Sequence, residues 1–353
     1  MLFKPCEFGA IEAGLSFNAT QGANVPKRVD KPTYEIDPTI HGRFDERNTI
    51  FMRRFWDHEA SFHGVKFRDR AAERISAKEA GYSRIDFARI LASWTVHDCF
   101  GGAFSWDRLG QADPSMMQFD RYEADPEEMT EEVKRTARLF GADLVGICEV
   151  NDQWIYSHNR SGDPVEIPSE CTHAIVMAIA MDKEGVATSP EYSSAVSTGV
   201  GYSKMAFAIA SMSQFLRNLR YKALPMGNDT ALSIPLAIDA GLGQLGRNGL
   251  LITSEYGPCI RLCKVFTDMP LVTDRPIDFG LTTFCRTCDR CSKACKADAI
   301  STDIEPTFDV ACPSNSPGIR RWAVNADRCY EFWAENTAAC SNCIAACPFS
   351  KID

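Results

Sequence analysis

Fifteen cysteines in 353 residues constrain this chain more than any other feature, because of where they fall. Four form the run Cys285-x2-Cys288-x2-Cys291-x3-Cys295. Three more form Cys340-x2-Cys343-x3-Cys347, followed by Pro348, with Cys329 just ahead of them and Cys312 between the runs. A disulfide framework spreads its cysteines through a short secreted chain. Tight runs at one end instead present thiolates to metal, and such thiols must stay reduced. The spacing is that of a bacterial two-cluster iron–sulfur module, in which the fourth cysteine of a run serves the other cluster. Applied here, one 4Fe–4S cluster takes Cys285, Cys288, Cys291 and Cys347. The second takes Cys295, Cys340, Cys343 and a fourth thiol, for which Cys329 is the candidate and Cys312 is able to trade with it. Two structural zinc sites are the alternative, but zinc favours separated C-x2-C knuckles rather than a continuous run. Lys296 stands where a proline commonly follows the fourth cysteine; this alters the local turn and removes no ligand.

The rest of the composition is that of an ordinary globular chain, with 45% apolar and 24% charged residues. A formal net charge of −9 argues against a nucleic-acid partner, which usually leaves a basic footprint. The longest apolar run, Ala174 to Met181, is strand length, well short of the ~18 residues of a membrane span. The N-terminal residues show neither a secretory apolar region nor a twin-arginine pair. The expected location is therefore cytoplasmic as written, or the periplasmic face of the membrane if a leader was removed.

Three units are expected. Residues 1–124 form an N-terminal arm and helical region covering the core, 125–275 an α/β catalytic core, and 276–353 the cluster domain. Residues 1 to about 45 lack a clear period and read as an extended arm. Helical patterning begins at Asp45, with Phe51, Phe55, Phe62 and Phe67 as scattered anchors. It continues over Arg84 to Phe100, where Phe87, Ile90, Leu91 and Trp94 recur at helical spacing; these aromatics read as core, with a pocket lining as the alternative. Asp125-Pro126-Glu127-Glu128 is a helix start in which Asp125 caps and the acids complement the dipole. Met129, Val133, Ala137 and Phe140 make its buried face, and Gly141 stops it. Strands follow over Asp143–Val150 and His173–Met181. A long helix covers Gly199–Arg220, with Met205, Ile209, Met212 and Leu216 on one stripe. A short strand at Tyr221–Pro225, a helix at Ala231–Ala240 and strands at Leu250–Thr253 and Ile260–Phe266 complete a mixed α/β (α+β) core. Pro270–Gly280 reads as the linker to the cysteine-rich end.

Gly241-Leu-Gly243-Gln-Leu-Gly246 matches the dinucleotide fingerprint G-x-G-x-x-G, but the order is reversed. That fingerprint needs a strand before it and a helix after it. Here a helix precedes and a strand follows, so the glycines are expected to permit tight turns and close backbone approach to something flat and large.

A longer block carries a specific likeness. Gly227-Asn-Asp-Thr230, then Ala240-Gly-Leu-Gly-Gln-Leu-Gly-Arg-Asn-Gly-Leu-Leu-Ile-Thr253, Tyr256-Gly-Pro258 and Arg261-Leu-Cys-Lys-Val-Phe-Thr-Asp268 resemble the corrinoid-dependent reductive dehalogenases, and the cysteine spacing fits that family too. The likeness is strong from about Asp125 to Asp353 and weaker upstream. It implies a cobalamin, bound base-off without a protein histidine, in a nitroreductase-like core beside a ferredoxin-like domain with two 4Fe–4S clusters. No D-x-H-x-x-G stretch is present, in keeping with that expectation. The resemblance further implies Tyr202 as proton donor, with Arg261 and Asn228 as its polar partners. Thr230, Gly241, Gly243, Gly246 and Trp333 become candidate contacts of the corrinoid or the pocket.

The chemistry asks for these residue types. Replacing C–X by C–H consumes two electrons and a proton and releases halide. A phenol with an ordinary pKa near ~10 holds its proton at neutral pH until carbanion character develops. A permanently charged arginine stabilises the phenolate left behind. The expected reaction is reductive dehalogenation of an organohalide at Co(I). Its partners would be a low-potential electron donor and, if the chain is exported, a small membrane-anchor protein. The alternatives are an epoxyqueuosine reductase-like enzyme acting on tRNA, which the acidic charge disfavours, and a non-enzymatic iron–sulfur electron carrier.

Overall fold

The computed structural model describes residues 25–66, 68–99 and 111–351. Phe67, Phe100 and the first part of the expected arm lie outside them. The centre is a four-stranded sheet of β1 (Leu144–Glu149), β2 (His173–Ala180), β3 (Ala223–Met226) and β4 (Ile260–Thr267). Its order is β1-β2-β4-β3 and every neighbouring pair is antiparallel. Both faces are covered, so β2 reads as a continuous apolar run rather than an alternating one.

The period of two sorts its residues. Ala174, Val176 and Ala178 face a layer built on the helix Ser233–Asp239 and Trp154. Ile175, Met177 and Ile179 face the opposite layer, made by the helices Pro126–Leu139 and Tyr192–Asn218. In the first of these helices Met129, Val133 and Ala137 are buried as their spacing demands, and Gly141 ends it in the left-handed region. Pro126 opens it, but the Asp125 side chain makes no capping hydrogen bond, contrary to expectation.

The long helix starts at Tyr192, about two turns before the expected Gly199. Its Ser-, Thr- and Gly-rich first part reads as loop by propensity. Packing reverses that: Tyr192 and Ala195 are buried against Tyr82 and Ile90. Each glycine costs a helix about 1 kcal/mol, whereas one fully buried large side chain contributes about 2 kcal/mol. Upstream, the helical region from Asp45 is broken into short pieces, chiefly Ile50–Trp56 and Ala71–Ser76, before Arg84–Ser93.

The turns after Asp239 owe their glycines to the chain itself. Gly241 has φ +73°, and a Cβ there would stand 2.5 Å from the Arg275 carbonyl oxygen. A Cβ on Gly243 would stand 2.3 Å from that of Ile252, its neighbour across the ribbon of Gln244–Leu245 and Leu251–Ile252. The close approach is to the protein's own backbone.

The cysteine-rich end carries the helices Leu281–Thr287, Arg290–Lys293, Ala326–Asn336 and Asn342–Ala345. It shares an apolar cluster with the body, in which Ile252 packs with Phe279, Leu281, Trp322 and Phe349. No helix among the described residues is long and apolar enough to cross a membrane.

Candidate active site and thiol clusters

Tyr202 sits on the long helix and projects into a cavity of about 390 Å³. The Asn228 side-chain amide donates to its phenol oxygen at 2.7 Å. Arg261, on β4, places its guanidinium carbon 5.2 Å from the centre of the Tyr202 ring and donates from Nη2 to Thr198 Oγ1 at 3.1 Å. Arg261 Nε is buried with no hydrogen-bond partner among the described residues. Trp94 stacks on Tyr202 with ring centres 4.8 Å apart, and His97 meets it edge-on at 5.5 Å. Trp333, Arg54 and Arg68 line the same cavity.

The three residues expected to act together are therefore brought together from three places: a helix, the turn after β3 and strand β4. Trp333 joins them. Thr230 does not line this cavity; it is buried behind the turn, bonded through its hydroxyl to Asp229. Gly241 and Gly243 lie against backbone, as above. Gly246 borders the thiols instead. Sequence reasoning missed Thr198, because it precedes the expected helix start, and preferred core to pocket lining for Trp94, which lines the cavity.

The thiols of Cys285, Cys288, Cys291 and Cys347 line one small void together with Gly246, Arg247 and Phe349. Burial raises the Cys285 thiol, pushes that of Cys291 up to about 11 and that of Cys347 up to about 12; the neighbouring thiols add to each shift. A second group forms around Cys329, whose thiol is pushed up to about 12 by burial and then by Cys295 and Cys340. Cys343 is raised by burial and by Cys329, Cys340, Cys291 and Cys295, so it lies in the field of both groups. Cys312 is buried elsewhere, next to Arg321.

Such thiols ionise only when a cationic centre offsets the burial. Backbone N–H groups already point at two of the sulfurs, Ala299 to Cys295 and Asn342 to Cys340, each at 3.4 Å. Hydrogen bonds of this kind tune a cluster's potential. Among the described residues no three Cys, His, Asp or Glu side chains are close enough to hold a single metal ion.

Arg247 orders the first group. It is 2% exposed and donates from Nε to the Cys285 and Cys288 carbonyls, from Nη2 to Cys285, and from Nη1 to Ser301 and Asp303. In the sequence Arg247 stood only within the Ala240–Thr253 block that carries the family likeness, with no role of its own.

Gathered thiols beside a tyrosine-and-arginine cavity are the makings of an oxidoreductase, and known proteins agree. The tetrachloroethene reductive dehalogenase of Sulfurospirillum multivorans is 32% identical over 370 residues, covering 92% of this chain and 71% of that protein. One from Desulfitobacterium hafniense is 36% identical over 296 residues, covering 71% of this chain and 53% of that protein. The chain thus spans about half the length of the latter relative. The chain belongs to the reductive dehalogenase family, a family of oxidoreductases. A solved catabolic reductive dehalogenase shares the fold with a TM-score of 0.70 at 24% identity, over 92% of this chain and 44% of that one. A second reductive dehalogenase structure, described with a mechanism for B12-dependent dehalogenation, superposes with a TM-score of 0.71 over 91% of this chain and 43% of that one. No family model matches the sequence.

Proposed function

We propose that this chain catalyses reductive dehalogenation of an organohalide, with Tyr202 as proton donor and with cobalamin and two 4Fe–4S clusters as cofactors. The observation that carries this reading is the Tyr202 phenol held by Asn228 at 2.7 Å beside Arg261 on a cavity wall. Residues 125–275 are read as a nitroreductase-like core and 276–353 as a ferredoxin-like unit, with 1–124 covering the core.

The residues present fit these groups. Cys285, Cys288, Cys291 and Cys347 would hold one cluster, and Cys295, Cys329, Cys340 and Cys343 the other. A second, largely apolar cavity of about 200 Å³ carries Ser316 Oγ and Arg321 Nε, both buried and without a hydrogen-bond partner among the described residues. The amide-fringed edge of a base-off corrinoid would satisfy them. When bound, the corrinoid supplies the electrons that break the carbon–halogen bond, with the clusters as their feed.

The protein's own part is proton delivery. The Asn228 amide donates to the phenol oxygen, so the hydroxyl proton is directed away from Asn228. As that proton leaves, the developing phenolate keeps the Asn228 hydrogen bond and gains the nearby Arg261 charge. Trp94 stacked on the ring fixes its plane.

The test is a reconstituted, reduced protein assayed for halide release on aliphatic and aryl halides, with iron and cobalt measured. Halide release with both metals present is the expected result. A fully loaded protein that releases none, or that turns over an epoxyqueuosine-bearing RNA stem instead, overturns the proposal.

A further inference from the structure

Lys264 is the one charged side chain on the buried stretch of β4 that faces the sheet's far layer, between Leu262 and Phe266, and it is 0% exposed. Its ammonium has three donors. They meet the Gly227 carbonyl at 2.7 Å, the Asp229 carbonyl at 3.2 Å and Ser233 Oγ at 3.1 Å. Gly227 to Thr230 is the turn that carries Asn228 over the sheet's edge to Tyr202.

Every carbonyl of that turn is engaged from the core. Lys264 takes Gly227 and Asp229, the Tyr156 hydroxyl donates to Asn228 at 3.3 Å, and the Tyr156 N–H donates to Thr230 at 2.9 Å. The Asp229 carboxylate accepts from the Gly227 N–H and the Thr230 hydroxyl, both at 2.9 Å. Thr230 is held at φ +69°, a conformation that persists only where the surroundings over-determine it. A methionine would fill the same space without burying a charge. A buried ammonium is tolerated because each donor is met; its loss takes the charged donor from two carbonyls of the turn and leaves Gly227 with the Ser233 hydroxyl at 3.3 Å and Asp229 with the Ala231 N–H at 2.7 Å.

We propose that Lys264 is a positioning residue: it fixes the Gly227–Thr230 turn from beneath the sheet and thereby sets the Asn228 amide on the Tyr202 phenol. This rests on the reading of Tyr202 as proton donor.

The test is a double-mutant cycle in the reconstituted enzyme, Lys264→Met with and without Asn228→Ala, read as kcat and KM for halide release. Hydrogen exchange at the Gly227 and Ala231 amides is measured alongside in the protein without corrinoid. Lys264→Met is expected to lower kcat about a hundredfold with KM within about twofold, and to cost nothing further once Asn228 is alanine. Exchange at the two amides should quicken at least about tenfold as the turn loosens. An equal loss in both backgrounds, a loss carried by KM, or unchanged exchange overturns the proposal. If the wild-type protein releases no halide, the proposed function falls, and exchange alone decides whether Lys264 fixes the turn. Asp229→Asn, which keeps shape and weakens the same turn, takes the place of Lys264→Met in both measurements if that variant does not fold.

Discussion

Arg247 and Arg261 are both drawn into the interior, and their surroundings differ in one respect. Against the cysteine-rich end, all three nitrogens of Arg247 donate to carbonyls, Nε and Nη2 to those of Cys285 and Cys288 and Nη1 to those of Ser301 and Asp303. In the cavity, Arg261 makes one bond to Thr198 and leaves Nε without a partner among the described residues. A guanidinium whose donors are all met by its own chain is part of the scaffold. One that keeps donors free on a cavity wall, beside a phenol, is arranged for something the chain does not contain. The same distinction separates Lys264, whose ammonium is fully met, from the cavity residues that it serves.

The strongest way to break this comparison is at Tyr202. Tyr202→Phe should lower halide release about a thousandfold with iron and cobalt content unchanged, the scale of a lost general acid. A fully active variant removes Tyr202 from the chemistry. Arg261→Lys should lower kcat about a hundredfold while melting temperature and iron content hold, because lysine lacks the planar fork. Arg247→Met should do the reverse: a loss of about 3 kcal/mol in unfolding free energy and of iron, since several buried carbonyls are left unpaired. If the two variants behave alike, the distinction between scaffold and cavity arginine fails. Cys329→Ser should remove about half of the bound iron and Cys312→Ser none, by metal analysis of the purified variants.

The smallest effect lies outside both regions. Burial pushes the Asp239 carboxyl up to about 6, against the opposing hydrogen bond from Tyr34. Because the folded value is the higher, the folded state holds the extra proton between roughly pH 4 and 6. Stability therefore falls as pH rises through that window, and the cost is complete above it. Asp239→Asn should raise stability at pH 7 by about 1 kcal/mol and leave it unchanged near pH 4, read from denaturation curves at both values.

The thiols were the most legible part of the chain, because their spacing alone groups Cys285, Cys288 and Cys291. What spacing left open was the choice between Cys329 and Cys312, which depends on how 44 residues between the two runs fold back. The structure sets Cys329 beside Cys295 and Cys340, and Cys312 beside Arg321. The strands and the Met205-to-Leu216 stripe were legible because they are long and periodic. The start at Tyr192 was not, since tertiary burial there overrides weak local propensity. The residue types at Tyr202, Asn228 and Arg261 were visible through the family likeness, but the Asn228 bond to the phenol depends on a turn fixed by Lys264, and no local pattern announces a lysine that faces a core.

The apolar cluster that joins Ile252 to Phe279, Leu281, Trp322 and Phe349 has a consequence for how such proteins diversify. The cysteine-rich end has the size of a module that recombination trades between genes, yet its inner surface is half of a shared core. A transplanted end would bring Trp322 and Phe349 to a body shaped for other partners, and the mismatch would fall next to Cys285 and Cys347. Gly257 sharpens the point, since a Cβ there would stand 2.4 Å from the Phe349 backbone. Body and tail are therefore bound to change together, and new specificities are expected to arise by substitution around the cavity rather than by exchange of the cysteine-rich end.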